Sequence, residues 1–222
     1  HIAVIDAAQD YFECEIVSFD DDFPLVRITR HDDATDDGPL VMLVQGLAKG
    51  EKMDSVIRHA TELGVAAFMP LTCERSIVKL DAKKTRTRLD RWCSIAKSAA
   101  MQSGQPRIPE VLEPRSAKEA ASELAEATAV LICWEEAPQT ASLAHAIERG
   151  LSECTGARGD ARIAVVVGPE GGLTEREVAF FLDANPRASL VSLGSSILRT
   201  ETAGVVAPAL TLYELGKLGG TR

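Results

Sequence analysis

The pattern of apolar and polar positions changes at Leu40. Before it, residues 2–6, 11–18 and 24–30 alternate or cluster apolar side chains in short runs, separated by Ala-Gln-Asp and Asp-Asp-Asp turns. That pattern predicts a small antiparallel β unit. Three strands with one buried face are marginal alone, and the chain starts at His1 without a methionine. The expectation is that an N-terminal piece of this unit precedes it. His31–Pro39, rich in Asp, Thr and Gly, reads as a linker.

From Leu40 apolar runs alternate with helical periodicity. Leu40–Val44 reads as a buried strand. Glu51–Leu63 reads as a helix, with Met53, Val56, Ile57, Ala60 and Leu63 on one face and Gly64 stopping it. Strands are expected at Ala66–Pro70, Ala129–Cys133, Arg162–Val167 and Ser189–Ser192. Helices are expected at Lys83–Gln102, Ser116–Glu126, Thr140–Arg149, Thr174–Asp183 and about Thr200–Leu215, with a loop over Pro106–Pro109. This alternation predicts an α/β domain with a parallel sheet covered on both faces. Pro208 conflicts with the last helix, where it should force a kink or a late start.

Two glycine-bearing stretches follow apolar strands and lead into helices. Gly168-Pro169-Glu170-Gly171-Gly172-Leu173 leaves Ile163–Val167 and enters Thr174-Glu175-Arg176-Glu177, a capping-box pattern. Leu193-Gly194-Ser195-Ser196-Ile197-Leu198-Arg199-Thr200-Glu201-Thr202 follows Leu190–Ser192 in the same way. Loops at the carboxyl ends of strands are where open α/β sheets bind ligands, so the two loops suggest one pocket.

Bulk properties narrow the chemistry. The 222 residues suffice for one good core, with room for a small appendage. No apolar run approaches the roughly 18 residues of a membrane span. The five cysteines (Cys14, Cys73, Cys93, Cys133, Cys154) are dispersed and form no C-x-x-C pair, so they read as reduced cytosolic thiols. The four histidines show no metal-ligand spacing, and no metal is expected. The net charge of −9 is concentrated: residues 1–37 carry eleven acids against Arg27 and Arg30, and the rest of the chain balances. Local patches therefore decide what binds. One such patch is Arg75, Lys79, Lys83, Lys84, Arg86, Arg88 and Arg91, opposed only by Asp81 and Asp90.

Neither a Walker pattern nor G-x-G-x-x-G occurs, and no lysine follows Gly171 or Gly172. Glu170 within the first loop would repel a polyphosphate. A ligand offering hydroxyls, an amine or a cation fits better, and S-adenosylmethionine has all three. A purely structural turn is the competing reading.

Gly168–Glu175 together with Leu193-Gly194-x-x-Ile197-Leu198-Arg199-Thr200-Glu201-Thr202-Ala203 closely resembles the RsmE family of ribosomal RNA methyltransferases, which modify N3 of a uridine in small-subunit RNA. The resemblance extends to Lys49-Gly50-x-Lys52-Met53-Asp54, Thr61–Val65, Arg91-Trp92, Gln102-Ser103-Gly104 and Arg107-x-Pro109, covering almost all of residues 40–205. It implies a partial PUA-like β-barrel unit at 1–37 and a SPOUT methyltransferase domain at 38–222, whose C-terminal region is threaded into a trefoil knot. It also implies a cytoplasmic homodimer that takes S-adenosylmethionine as cofactor and 16S ribosomal RNA of the small subunit as substrate.

Carried over by position, the cofactor would lie against Leu131 and Cys133, against Gly168, Pro169, Glu170, Gly171 and Gly172, and against Leu193, Gly194, Ile197, Leu198 and Thr202. The glycines would let backbone approach adenosine, and Leu193, Ile197 and Leu198 would supply apolar walls. Arg199 would stabilise charge developing on the uracil or clamp a phosphate. Glu201 would orient Arg199 or take up a proton. RNA contacts would come from Arg75, Lys83, Lys84, Arg86, Arg88, Arg91, Gln102 and Arg107. Relatives usually carry an acid at Met101, an arginine at Gln105 and a lysine at His59, so no role is carried over to those positions. The alternatives are a SPOUT enzyme acting on a ribose 2′-hydroxyl or another base, and a catalytically inert RNA-binding assembly factor.

Overall fold

A computed structural model describes residues 1–6, 10–32, 38–154 and 156–219. The N-terminal part forms three antiparallel strands, β1 (Ile2–Ile5), β2 (Tyr11–Asp20) and β3 (Phe23–Asp32), in that order across the sheet. The antiparallel unit read from the alternation is therefore present. His31 and Asp32 continue β3, where the composition suggested a linker; residues 33–37 of that stretch, with the proposed domain boundary, lie outside the described residues. Ile28, Phe19 and Phe23 of this hairpin are exposed.

The second sheet is parallel in every pairing. Its strands are β4 (Leu40–Gly46), β5 (Ala67–Thr72), β6 (Glu110–Val111), β7 (Arg115–Ser116), β8 (Ala129–Cys133), β9 (Arg162–Val167) and β10 (Ala188–Val191). The order is β10-β8-β9-β4-β5-β6, with β7 also pairing β5. Among the described residues the strands are linked by α1 (Lys52–Leu63), α2 (Ala82–Ser103), α3 (Ala117–Glu123), α4 (Leu143–Glu153) and α5 (Glu175–Ala184), and α6 (Thr200–Glu214) follows β10; a 3₁₀ turn lies at Arg158–Asp160.

Burial on both faces explains why the central strands read as continuous apolar runs. Val41, Leu43, Leu131, Ile163 and Val165 face one core, closed by α1, α2, α4 and α6. Val44, Val130, Ile132, Ala164 and Val166 face the other, closed by α3 and α5. Local signals set the helix ends. Gly64 stops α1 in the left-handed conformation at φ 100°. Ser116 with Glu119, and Thr174 with Glu177, form capping boxes on α3 and α5. α4 lies a few residues later than the expected Thr140–Arg149: Ser142 caps it by accepting from the His145 N–H at 3.3 Å, and it runs from Leu143 to Glu153.

Pro208 neither breaks nor delays α6, which runs from Thr200 through Glu214. The ring removes one bond, to the carbonyl of Gly204. Burial of Ala203, Ala207, Thr211 and Leu212 against the sheet and α1 offsets that loss. Gly204 itself is required for the approach, since a Cβ there would lie 2.4 Å from Gln45 Oε1.

Candidate active site

The parallel register aligns the carboxyl ends of four strands. Val191 pairs with Cys133, Cys133 with Val167, and Val167 with Gln45, so the loops after β10, β8, β9 and β4 leave the sheet side by side. Between them lies a cavity of about 490 Å³, within the range of small-molecule and cofactor sites, roughly 300–1,000 Å³. Cys133, Trp134, Glu135, Ala137 and Gln139 line it from β8 and the loop after it, Val167 to Glu170 and Gly172 from β9, and Val191 to Leu198 from β10; Lys52, Arg199, Thr200 and Ala203 complete it.

The loop after β9 is braced from three sides. A Cβ on Gly46 would sit 2.3 Å from Pro169 N, so the bare end of β4 is what lets the loop pass. Gly171 lies under Arg75, whose backbone oxygen would be 3.0 Å from a Cβ there, and Arg75 Nη1 donates to the Gly171 and Leu173 carbonyls at 3.2 and 3.4 Å. Buried Glu177 accepts from the backbone of Thr174 and Glu74, tying the start of α5 to the segment after β5. Trp134 Nε1 adds a bond to Leu173 O at 3.3 Å.

A polar chain joins this loop to α6. Thr200 donates its hydroxyl proton to Gly168 O at 2.6 Å and therefore accepts from Gln45 Nε2 at 2.9 Å, which fixes the buried amide's orientation. Next to it, Lys52 Nζ stands 3.1 Å from both Glu170 Oε1 and Glu201 Oε2, and Lys49 N donates to Glu170 Oε1 at 3.0 Å. The carboxylates of Glu201 and then Glu170 raise the Lys52 pKa, outweighing its burial. Burial pushes the Glu170 carboxyl up, but the Lys49 N–H, its own N–H and Lys52 together hold it below the usual range. Glu201 is also held low, first by its own N–H at the start of α6 and then, against burial, by Lys52 and Arg199. All three groups stay ionised at neutral pH.

The loop after β10 is open. Gly194, at φ 113°, has no neighbour within 4 Å of where a Cβ would stand. Ile197 is 88% exposed. Arg199, the residue before α6, is exposed, and its guanidinium makes no hydrogen bond among the described residues. Glu135 extends over Gly172, with Oε1 2.3 Å from where a Cβ would stand. Burial pushes the Cys133 thiol up to about 12, leaving it neutral and unsuited to nucleophilic chemistry.

Most residues singled out in the sequence converge here, with exceptions. Cys133, Gly168, Pro169, Glu170, Gly172, Leu193, Gly194, Ile197, Leu198 and Arg199 line the cavity. Glu201 reaches its wall through Lys52. Leu131 lies in the core, Gly171 faces Arg75, and Thr202 is on the exposed side of α6; none of the three is in the cavity lining. Gln45, Gly46, Lys52, Glu135 and Thr200 went unassigned. Two of them stood in the quoted motifs without a role: Thr200 in the Leu193–Thr202 stretch, and Lys52, a basic residue at a helix start where the dipole favours acids.

The basic patch is heterogeneous. Lys83, Lys84 and Arg86 are exposed on the first turns of α2, with Lys84 paired to Asp81 at 3.1 Å; Arg88 is half-buried on the same helix. Arg75 serves the glycine loop. Arg91 is committed to Asp54, which is buried and also accepts from Trp92 Nε1 at 3.2 Å. Gln102 is exposed near the end of α2 and Arg107 half-buried beyond it. Gln105 Nε2 donates to Glu62 O at 2.9 Å, His59 pairs with Ser55, and Met101 is exposed. Among the described residues, no group of three or more His, Cys, Asp or Glu side chains could hold a metal ion.

Residues 37–212 match the RNA methyltransferase domain family, which fixes the class of protein. Ribosomal RNA small subunit methyltransferase E of Bacillus subtilis is 33% identical over 222 residues, 98% of this chain and 84% of that protein. Its counterpart in Mycobacterium tuberculosis is 35% identical over 173 residues, 76% of this chain and 61% of that protein. The crystal structure of a ribosomal RNA small subunit methyltransferase E from Neisseria gonorrhoeae, bound to S-adenosylmethionine, has a TM-score of 0.74 at 29% identity, covering 96% of this chain and 82% of that one. The chain belongs to the ribosomal RNA small subunit methyltransferase E family.

Proposed function

We propose that the protein uses S-adenosylmethionine to methylate N3 of a uridine in 16S ribosomal RNA within the small subunit. The observation that carries this reading is the cavity at the aligned strand ends, with its open Gly194 loop and unpaired arginine. Its residues fit the cofactor. Leu193, Leu198 and Ala203 offer apolar contact for a purine, the space at Gly194 admits a close backbone approach, and the Glu135 carboxylate suits hydroxyls or a cationic amine. When bound, S-adenosylmethionine supplies an electrophilic methyl group on a sulfonium.

The chain's own contribution is orientation and electrostatics. Uracil N3 carries a proton at neutral pH; it passes to solvent water, and Arg199 stabilises the negative charge that grows on the ring as it leaves. Glu201 is too acidic, paired with Lys52, to act as an efficient base; it holds the start of α6 and hence Arg199. The exposed cations of α2 supply the phosphate contacts that RNA binding requires.

The same reading makes the domain a knotted SPOUT fold, supported by the return of α6 onto α1 and β4. It makes β1–β3 part of a PUA-like unit. A homodimer is supported by α6, which leaves Leu210 and Tyr213 exposed, and the compartment is the cytoplasm. The test is transfer of labelled methyl groups to small ribosomal subunits lacking the modification, followed by nucleoside mapping. A 3-methyluridine product is expected. A ribose-methylated product or another modified base would replace the reading, and absence of S-adenosylmethionine binding would favour an inert RNA-binding factor.

A further inference from the structure

We infer that Lys52 is a positioning residue for methyl transfer, pinning the glycine loop to the start of α6 through Glu170 and Glu201. This rests on reading the cavity as the cofactor site. Lys52 is the first residue of α1, where the positive end of the helix dipole disfavours a lysine. Its location is accounted for by what it reaches. One ammonium stands 3.1 Å from a carboxylate of the β9 loop and 3.1 Å from a carboxylate of α6, and it lines the cavity itself.

Three elements are thus joined at one point through charged side chains: α1, the loop that forms one cavity wall, and the helix that follows Arg199. Glu201 lies on the first turn of α6, two residues beyond Arg199. Its tether sets where that turn begins, and therefore the direction from which Arg199 approaches a substrate. Loss of the ammonium would leave two ionised carboxylates, each 3.1 Å from where it had stood, with no cation between them. Their repulsion, only partly shielded at this burial, would separate the glycine loop from α6.

The experiment compares turnover of Lys52→Met, Lys52→Arg and Lys52→Met/Glu170→Gln on small ribosomal subunits lacking the modification, with S-adenosylmethionine binding followed in parallel. Lys52→Met is expected to lower kcat about 100-fold, the scale of an ångström-sized misplacement. Lys52→Arg, whose charged fork can span both carboxylates, should stay within about tenfold of the unaltered protein. Adding Glu170→Gln to Lys52→Met removes one of the two charges and should recover about tenfold of the loss, a non-additivity that contact loss alone would not produce. Turnover of Lys52→Met within about twofold of the unaltered protein, or a double variant no better than Lys52→Met, overturns the role. If Lys52→Met does not fold, Glu201→Gln carries the test, and full turnover there overturns it. Failure of the unaltered protein to bind S-adenosylmethionine and transfer a methyl group would instead sink the reading on which the inference rests.

Discussion

The two glycine-bearing loops flank β8, leave the sheet at the same level and enter helices, yet their glycines do different work. In the loop after β9 the space is taken by the protein: Gly46 and Pro169 nearly touch, Gly171 lies under Arg75, and Glu135 covers Gly172. In the loop after β10, Gly194 looks into open space and Ile197 is exposed. One loop is a braced wall and the other an open face. A glycine in a functional loop does not by itself mark ligand contact; the direction a Cβ would take decides.

That contrast can be broken by substitution. Gly46→Ala should have the largest effect on stability, about 2–3 kcal/mol or more, because its Cβ would meet backbone 2.3 Å away. Gly171→Ala should cost about 1–2 kcal/mol, since the Arg75 Cβ 2.8 Å away can yield only by moving its segment. Gly194→Ala should cost only about 1 kcal/mol of backbone strain, with a disproportionate loss of S-adenosylmethionine affinity. Denaturant unfolding and calorimetric titration of the three variants check the order. Equal effects on stability and binding at Gly46 and Gly194 would erase the distinction between the loops.

A smaller effect should appear with pH. The folded pKa values of Glu170 and Glu201 are depressed, so their contribution is present above the ordinary glutamate value of about 4.3 and lost as pH falls through the folded values. Lys52 is raised, so its contribution is present below about 10.4 and lost as pH rises through the folded value. The stability difference between the unaltered protein and Lys52→Met should therefore be flat from about pH 6 to 9 and shrink on either side. All three side chains are partly exposed, which keeps the difference small. A difference that grows in acid would contradict the clamp.

Much of the fold was legible because local signals agreed with the global arrangement. Apolar runs marked the central strands, and Gly64, Ser116 and Thr174 marked helix ends. The two-residue strands β6 and β7 escaped because so short a segment has no periodicity. Pro208 misled because the cost of a proline is local while the packing that offsets it comes from β4 and α1. At the site, the loops were visible but their supports were not. Gln45 meets Thr200 across 155 positions, and the Lys49 backbone meets Glu170 across 121, pairings that only the strand register creates. The charges of Arg75 and Arg91 were visible in the sequence, but the carbonyls and the carboxylate that they engage within the protein were not.

The most direct test of the account measures methyl transfer and S-adenosylmethionine affinity together, for the unaltered protein and Arg199→Ala. The open cavity should bind the cofactor in both, with affinities within a few-fold. Transfer to small ribosomal subunits lacking the modification should fall about 100- to 1,000-fold in the variant, the scale seen when one group stabilising developing charge is removed. Undiminished transfer by Arg199→Ala would contradict the account.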